Sequence, residues 1–157
     1  MSVCTFFGHR TINETEELKR GVEECIEKLI IKEKVDTFLF GSKSSFDHLC
    51  YNTVTRLKEK YPHVKRIYVR AEYPFVGDSY QAYLLKSYEE SYYPQKLLGA
   101  GRAVYVERNC EMIERSDYCI VYYDEINAPT TRKSGTKIAL DYAVKKKKEN
   151  LRISIKK

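Results

Sequence analysis

Three short segments of this sequence combine glycine with residue types that bind anions. Gly8-His9-Arg10 and Gly41-Ser42 each follow an apolar run, and Ser134-Gly135-Thr136 precedes a stretch with helical spacing. Glycine permits close approach of the backbone to a ligand, arginine offers a planar fork to phosphate, and hydroxyls and amides at a helix start bind anions. His9 can donate, accept or titrate. Each segment alone is equally compatible with a turn or a helix cap, so its role depends on whether the fold brings the three together.

Three further polar residues stand close to these segments or to the start of a helix. Asp47 falls in the first turn of the helix after Gly41-Ser42, where an acid complements the helix dipole and can also bind a ribose hydroxyl. Arg108 and Asn109 fall near the start of a helix predicted over 106–115 and are candidates either for ligand binding or for salt bridges. The glycine pattern around Gly41 matches neither a dinucleotide fingerprint nor a phosphate-binding P-loop.

The elements around these segments alternate between strands and helices. Helical spacing begins after Asn13 and Glu16, which resemble a capping box. The alternation favours an α/β, Rossmann-like doubly wound parallel sheet of about five strands in the order 3-2-1-4-5, with helices on both faces. Such sheets bind ligands at the carboxyl ends of the strands, where the strand order reverses, and the glycine segments are expected to converge there. Apolar runs predict the strands at 3–7, 36–41, 64–71, 117–123 and 151–155.

The composition excludes several classes of protein. The 157 residues suit a single domain over 1–157, and 43% hydrophobic with 32% charged residues is typical of a globular chain. No apolar run reaches the length of a membrane span and no signal peptide is recognisable, so the expected location is the cytoplasm, with no membrane association. Five cysteines, an odd number with no CxxC pair, predict buried reduced thiols and no metal site.

The net charge of +6 is concentrated towards the C-terminus, where lysines and one arginine cluster. Such a run is typical of a solvated helix face. It is also compatible with non-specific binding to nucleic acid, which would be recognised by a steep dependence on salt. The cluster consists of Lys145, Lys146, Lys147, Lys148, Arg152, Lys156 and Lys157.

Residues 73–102 form a tyrosine-rich insertion between the third predicted strand and the helix that precedes the fourth. We predict one or two short helices here, because Tyr80, Tyr83, Leu84 and Tyr88 keep helical spacing. Aromatic side chains bury large areas, so the segment is expected to cover the crevice or a dimer surface. The alternative is that this face completes the core of the domain.

The motifs together resemble the SLOG superfamily, the Rossmann-like group related to the Lonely Guy phosphoribohydrolases and DprA proteins, and most closely its YpsA-like branch. The resemblance rests on "CTFFGHR", "FGSKSSFD", "YVERNCEMIERSDYCIVYYD" and "SGTKIALDYA". It implies a nucleotide-type ligand at the crevice and a homodimer. The family's ligand loop corresponds to Gly8, His9 and Arg10, its second loop to Gly41, Ser42 and Asp47, and its phosphate turn to Ser134, Gly135 and Thr136.

The enzymes related to this group share a late Gly-Thr-x-x-Glu, whose carboxylate suits cleavage of an N-glycosidic bond. The corresponding position here is Ala139, and Asp141, two residues further along a helix, should point elsewhere. We therefore interpret the chain as a nucleotide-binding protein of the sensor type, with no cofactor beyond that ligand. The alternatives are an N-glycosidic hydrolase or transferase acting on nucleotides, with Glu107, Asp47 or Asp124 as its acid, and a DprA-like nucleic-acid-binding protein.

Overall fold

The computed structural model, which describes residues 2–41, 44–122, 135–146 and 149–153, is built on a parallel sheet of six strands. Their order is β4-β3-β2-β1-β5-β6, where β1 to β6 are numbered along the chain. The five predicted strands therefore have the predicted order 3-2-1-4-5, and the doubly wound α/β fold is confirmed. The strands are β1 (Ser2–Gly8), β2 (Val35–Phe40), β3 (Lys65–Val69), β4 (Glu90–Tyr92), β5 (Tyr118–Tyr122) and β6 (Glu149–Ile153).

Five α-helices connect these strands in the part of the chain that the structure describes. The first begins after Thr15, whose hydroxyl accepts from the backbone N–H of Leu18 at 3.1 Å; the helix cap is therefore Thr15 and not Asn13 as predicted. Within the described ranges, no helix has the length and apolar character needed to cross a membrane. The helices are α1 (Glu16–Lys32), α2 (Ser45–Lys58), α3 (Asp78–Leu84), α4 (Val104–Arg115) and α5 (Gly135–Lys145).

Two apolar cores cover the two faces of the sheet, and successive strand residues alternate between them. Phe6 packs with α1 and α2 on one face, whereas its neighbour Phe7 packs with α4 and α5 on the other. Phe38 and Leu39 divide in the same way. This alternation is the reason why the strands read as continuous apolar runs, since both faces of an interior parallel strand are buried.

The tyrosine-rich insertion contributes α3 and then adds β4 to the edge of the sheet beside β3. An ion pair holds the residue just before β4 against β3. Arg66 of β3 donates from Nη2 to Glu89 Oε2 at 2.7 Å and from Nε to Oε1 at 3.1 Å. Bidentate pairs of this kind define geometry as well as contributing energy. The segment is therefore tied to the sheet immediately after α3.

The five cysteines are free thiols, as predicted. Cys4, Cys50 and Cys119 are buried in the cores, and Cys25 and Cys110 are half-buried. Burial raises the pKa of four of these thiols, because the thiolate would lose its hydration: Cys4, Cys25, Cys50 and Cys110. Cys119 lies beside Cys4 closely enough to contribute to the raised pKa of Cys4.

Gly8, the last residue of β1, lies in direct contact with α2. A Cβ at this position would stand 2.3–2.4 Å from three atoms of the Phe46 side chain, including its own Cβ. The Phe46 Cβ is attached directly to the helix backbone, so no rotation of the side chain removes its overlap. A glycine is therefore required here so that α2 can pack against the end of β1.

We expect Gly8→Ala to destabilise the fold by about 1–3 kcal/mol, the usual cost of overpacking, because α2 must move away from β1. The measurement is urea unfolding followed by circular dichroism. Gly21→Ala is the matched control, since a Cβ at Gly21 of α1 meets no atom within 4 Å. That change should stabilise the helix by about 0.5–1 kcal/mol. Equal unfolding midpoints for Gly8→Ala and the unmodified protein would contradict the required contact.

Candidate functional site

The start of α2 is fastened to the loop that follows β1. The backbone N–H of Ser45 donates to the carbonyl of Arg10 at 2.8 Å, and the backbone N–H of Asp47 donates to the Ser44 hydroxyl at 3.0 Å. These bonds occupy two of the amides that a helix start would otherwise offer to an anion. Much of the anion-binding capacity predicted for this helix start is thus used to hold the Gly8-His9-Arg10 loop in place.

Asp47 is buried in the first turn of α2, with 7% of its surface exposed. The backbone N–H of Gly41 hydrogen-bonds its carboxyl group, but no group of the described residues hydrogen-bonds the Oδ1 atom. Burial raises the pKa of Asp47 well above its usual range, and the nearby Arg108 opposes that rise only in part. An unpaired buried carboxyl oxygen is costly, and a ligand with an O–H or N–H group could satisfy it.

Arg108 reaches the neighbourhood of Asp47 from the opposite face of the sheet. It belongs to α4, and its Cδ would stand 3.1 Å from a Cβ placed on Gly41, so the missing side chain of Gly41 makes room for it. Arg108 is itself buried, and its Nε and Nη2 both donate to Asn109 Oδ1 at 3.3 Å. The structure therefore brings together four predicted residues at the carboxyl end of β2: Gly41, Asp47, Arg108 and Asn109.

An open cleft of about 630 Å³ lies against this cluster, between α2 and α3. Its volume falls in the range typical of small-molecule sites. The polar lining includes Ser44, Ser45, Asp47 and His48 from the beginning of α2. The opposite side is aromatic, and the tyrosines that line the cleft are Tyr51, Tyr68, Tyr80, Tyr83 and Tyr88.

Six tyrosines in and beside the cleft form two rows of ring contacts. In the inner row, the half-buried Tyr88 contacts Tyr51 and Tyr68, with ring centroids 5.1 and 5.2 Å apart. In the outer row, Tyr80 contacts Tyr73 and Tyr83, with centroids 5.8 and 6.2 Å apart. Sequence reasoning missed Tyr51 and Tyr68 as site residues. Tyr51 could have been found, because it lies four residues after Asp47 and therefore on the same helix face.

The remaining predicted residues occupy other places at the same edge of the sheet. His9 packs edge-on against the ring of Tyr122 at the end of β5, with centroids 5.9 Å apart, and the Arg10 side chain is exposed. Gly135 and Thr136 begin α5. Several residues of the predicted site and of the basic C-terminal cluster lie outside the described residues, namely Ser42, Asp124, Ser134, Lys147, Lys148, Lys156 and Lys157.

Ala139, which stands where related enzymes have a glutamate, is buried in α5. It packs in the core on the α4 and α5 face, in the cluster that contains Met112 and Ile113. An apolar side chain is suited to these surroundings. A carboxylate at this position would be placed among apolar groups, at a large desolvation cost.

The sequence matches the family model YpsA, described as the YspA SLOG family, over residues 5–157. The chain belongs to this SLOG family. The match covers nearly the whole chain and confirms the resemblance found in the four motifs. A search of the curated proteins gives no match to this sequence. A member of the SLOG family is expected to have a Rossmann-like domain, and the observed order of the strands agrees with that expectation.

For this SLOG protein, we expect Asp47→Asn to increase stability at neutral pH by roughly 1–3 kcal/mol, because the native carboxyl group must take up a proton on folding or be buried with its charge. The raised pKa means that folded Asp47 keeps a proton that unfolded Asp47 has lost. Stability of the unmodified protein should therefore fall as the pH rises above the ordinary aspartate pKa of about 3.9. The advantage of Asp47→Asn should grow over the same interval.

Thermal unfolding of both proteins between pH 4 and pH 8 measures this difference. Asp78→Asn is the matched control, because Asp78 also lies in the first turn of a helix but is exposed. A stability difference between Asp47→Asn and the unmodified protein that stays constant over the whole pH range would contradict the raised pKa.

Proposed function

We propose that this SLOG protein binds a nucleotide or nucleotide derivative at the carboxyl edge of its sheet. The observation that carries the proposal is the cleft between α2 and α3, which combines aromatic rings with the unpartnered Oδ1 of buried Asp47. A nucleoside supplies an aromatic base and hydroxyl donors in one molecule. Membership of the family supports a nucleotide-type ligand.

The charges favour one orientation of such a ligand, with its phosphate outside the cleft. Glu14 lines the cleft, and two amides at the start of α2 are already used, so a phosphate is disfavoured there. The exposed Arg10 offers a better partner for phosphate, beside Gly8 and His9. We propose that the phosphate lies towards this loop and the start of α5, with the contribution of Ser134, Gly135 and Thr136, and that Asp47 accepts from a ribose hydroxyl.

We expect Arg10→Ala to weaken the binding of nucleoside monophosphates by roughly 1.5–3 kcal/mol, as is usual for a charged hydrogen bond. Isothermal titration calorimetry with adenosine, guanosine, cytidine and uridine monophosphates measures it. Arg20→Ala is the matched control, since Arg20 is an exposed arginine on α1. Equal affinities of Arg10→Ala and the unmodified protein would remove Arg10 from the site.

One observation favours a second function, the cleavage of an N-glycosidic bond. A buried carboxyl group with a raised pKa, such as Asp47, is able to act as a general acid. The binding function is preferred because Ala139, which is buried in an apolar core, takes the place of the glutamate that suits this chemistry.

We therefore expect no release of free base when nucleoside monophosphates are incubated with the protein. Chromatography of the reaction mixture tests it. Base release on the order of 1 s⁻¹ or faster would favour the hydrolase. In that case its loss in Asp47→Asn would identify the acid.

We also propose a homodimer, as the family resemblance implies. Apolar side chains are exposed side by side on the outer faces of α4 and α5, where Val106 and Ile138 line a small pocket with Asn109 and Cys110. Exposed apolar side chains that cluster on adjacent helices are typical of an interface between subunits. This face is separate from the cleft between α2 and α3, so a dimer formed through it would leave the cleft open.

A further inference from the structure

We infer that the cleft between α2 and α3 is a subsite for an aromatic base, which stacks on the outer tyrosine row through Tyr80 and Tyr83. The inference rests on the proposed function, because it names the part of the nucleotide that this cleft takes. It concerns residues of the tyrosine-rich insertion, which lies outside the four motifs on which the family resemblance rests.

The outer row leaves aromatic surface open to the cleft. Tyr83 is 66% exposed and Tyr80 is 36% exposed, although both rings line the cleft and contact each other. Tyrosines that served only the core would be buried, as Tyr122 is. Ring faces exposed next to a concave space are suited to stacking on a planar ligand, and every nucleobase has such a face.

The backbone before α3 is held in an unusual conformation that contributes to the row. Tyr73 has a φ of +59°, a left-handed conformation that is uncommon for a bulky side chain. Its carbonyl accepts from Arg70 Nε at 3.3 Å, and the adjacent Glu72 accepts from the Tyr105 hydroxyl of α4. Local strain of this kind persists only where surrounding contacts enforce it. The Tyr73 ring is thereby placed against Tyr80, at one end of the row.

The polar groups of the cleft agree with a base rather than with a free phosphate. The inner tyrosine row is half-buried, and Asp47 Oδ1 is an acceptor to which no group of the described residues donates. Along the sheet the loops succeed one another in the order β1, β2 and β3, about 4.8 Å apart from strand to strand. Arg10 follows β1, Asp47 follows β2, and the outer row follows β3. Phosphate, ribose and base follow one another in the same order along a nucleotide.

The experiment compares two probes, adenosine monophosphate and ribose 5-phosphate, by calorimetry. Ribose 5-phosphate carries the sugar and phosphate but no base. In Tyr83→Ala and Tyr80→Ala, affinity for adenosine monophosphate should fall by about 5- to 100-fold, the usual loss of one stacked base, and affinity for ribose 5-phosphate should not change. Tyr83→Phe keeps the ring and should retain binding of both probes.

Phe75→Ala is the matched control, because Phe75 is an aromatic residue of the same insertion that is 88% exposed and is not part of the cleft lining. Circular dichroism and the melting temperature establish that each variant is folded. Unchanged affinity of both tyrosine variants for adenosine monophosphate would overturn the base subsite and leave the proposed function standing. Equal losses for both probes would also overturn it. If the unmodified protein binds neither probe nor any other nucleoside monophosphate, the proposed function fails together with the subsite.

Discussion

The candidate site depends on the close approach of α2 to the end of β1. Phe46 fills the space left by the missing side chain of Gly8, and Ser45 binds the carbonyl of Arg10. Because these two contacts set the position and the direction of α2, they also set where Asp47 lies in its first turn. Without them the cleft would lose one wall, and the loop after β1 would no longer adjoin it.

A second glycine, Gly41, joins the two faces of the sheet in a comparable way. Its missing Cβ admits the stem of Arg108 from α4, so a cation from one helical layer comes near the carboxyl group of Asp47 in the other. The pair is not a simple salt bridge. Arg108 is engaged by Asn109, and burial dominates the pKa of Asp47, so one carboxyl oxygen remains for a further partner. A buried polar atom left unsatisfied by the described residues lowers stability, and it is available to a ligand of the kind proposed.

The tyrosine-rich insertion shows how an addition at the edge of a sheet can form one wall of a cleft. β4 pairs with β3, and the Arg66–Glu89 ion pair anchors the chain just before β4, so α3 is held opposite α2. The inner and outer tyrosine rows then face a common space. An insertion without β4 would have no such anchor, because α3 itself is short and contributes one buried side chain, Leu84.

The sequence by itself determined five of the six strands that the structure describes, their relative order and the family, but it did not predict β4 in the tyrosine-rich insertion. Strands such as β1 and β5 are buried on both faces, so their apolar runs are readable without any tertiary information, and right-handed crossovers leave few orders for them. The sequence did not distinguish between two possible caps of α1, because Asn13 and Thr15 are both short polar residues that can cap a helix. The structure uses Thr15.

The sequence also placed Asp47 in the first turn of its helix. Only the tertiary structure decided that this carboxyl group is buried, since Arg108, Tyr68 and Tyr88 approach it from distant parts of the chain. Tyr51, Tyr68 and Tyr80 likewise meet only because β3 lies beside β2 and β4 holds α3 in place, and contacts between residues so far apart in sequence leave no local pattern to read.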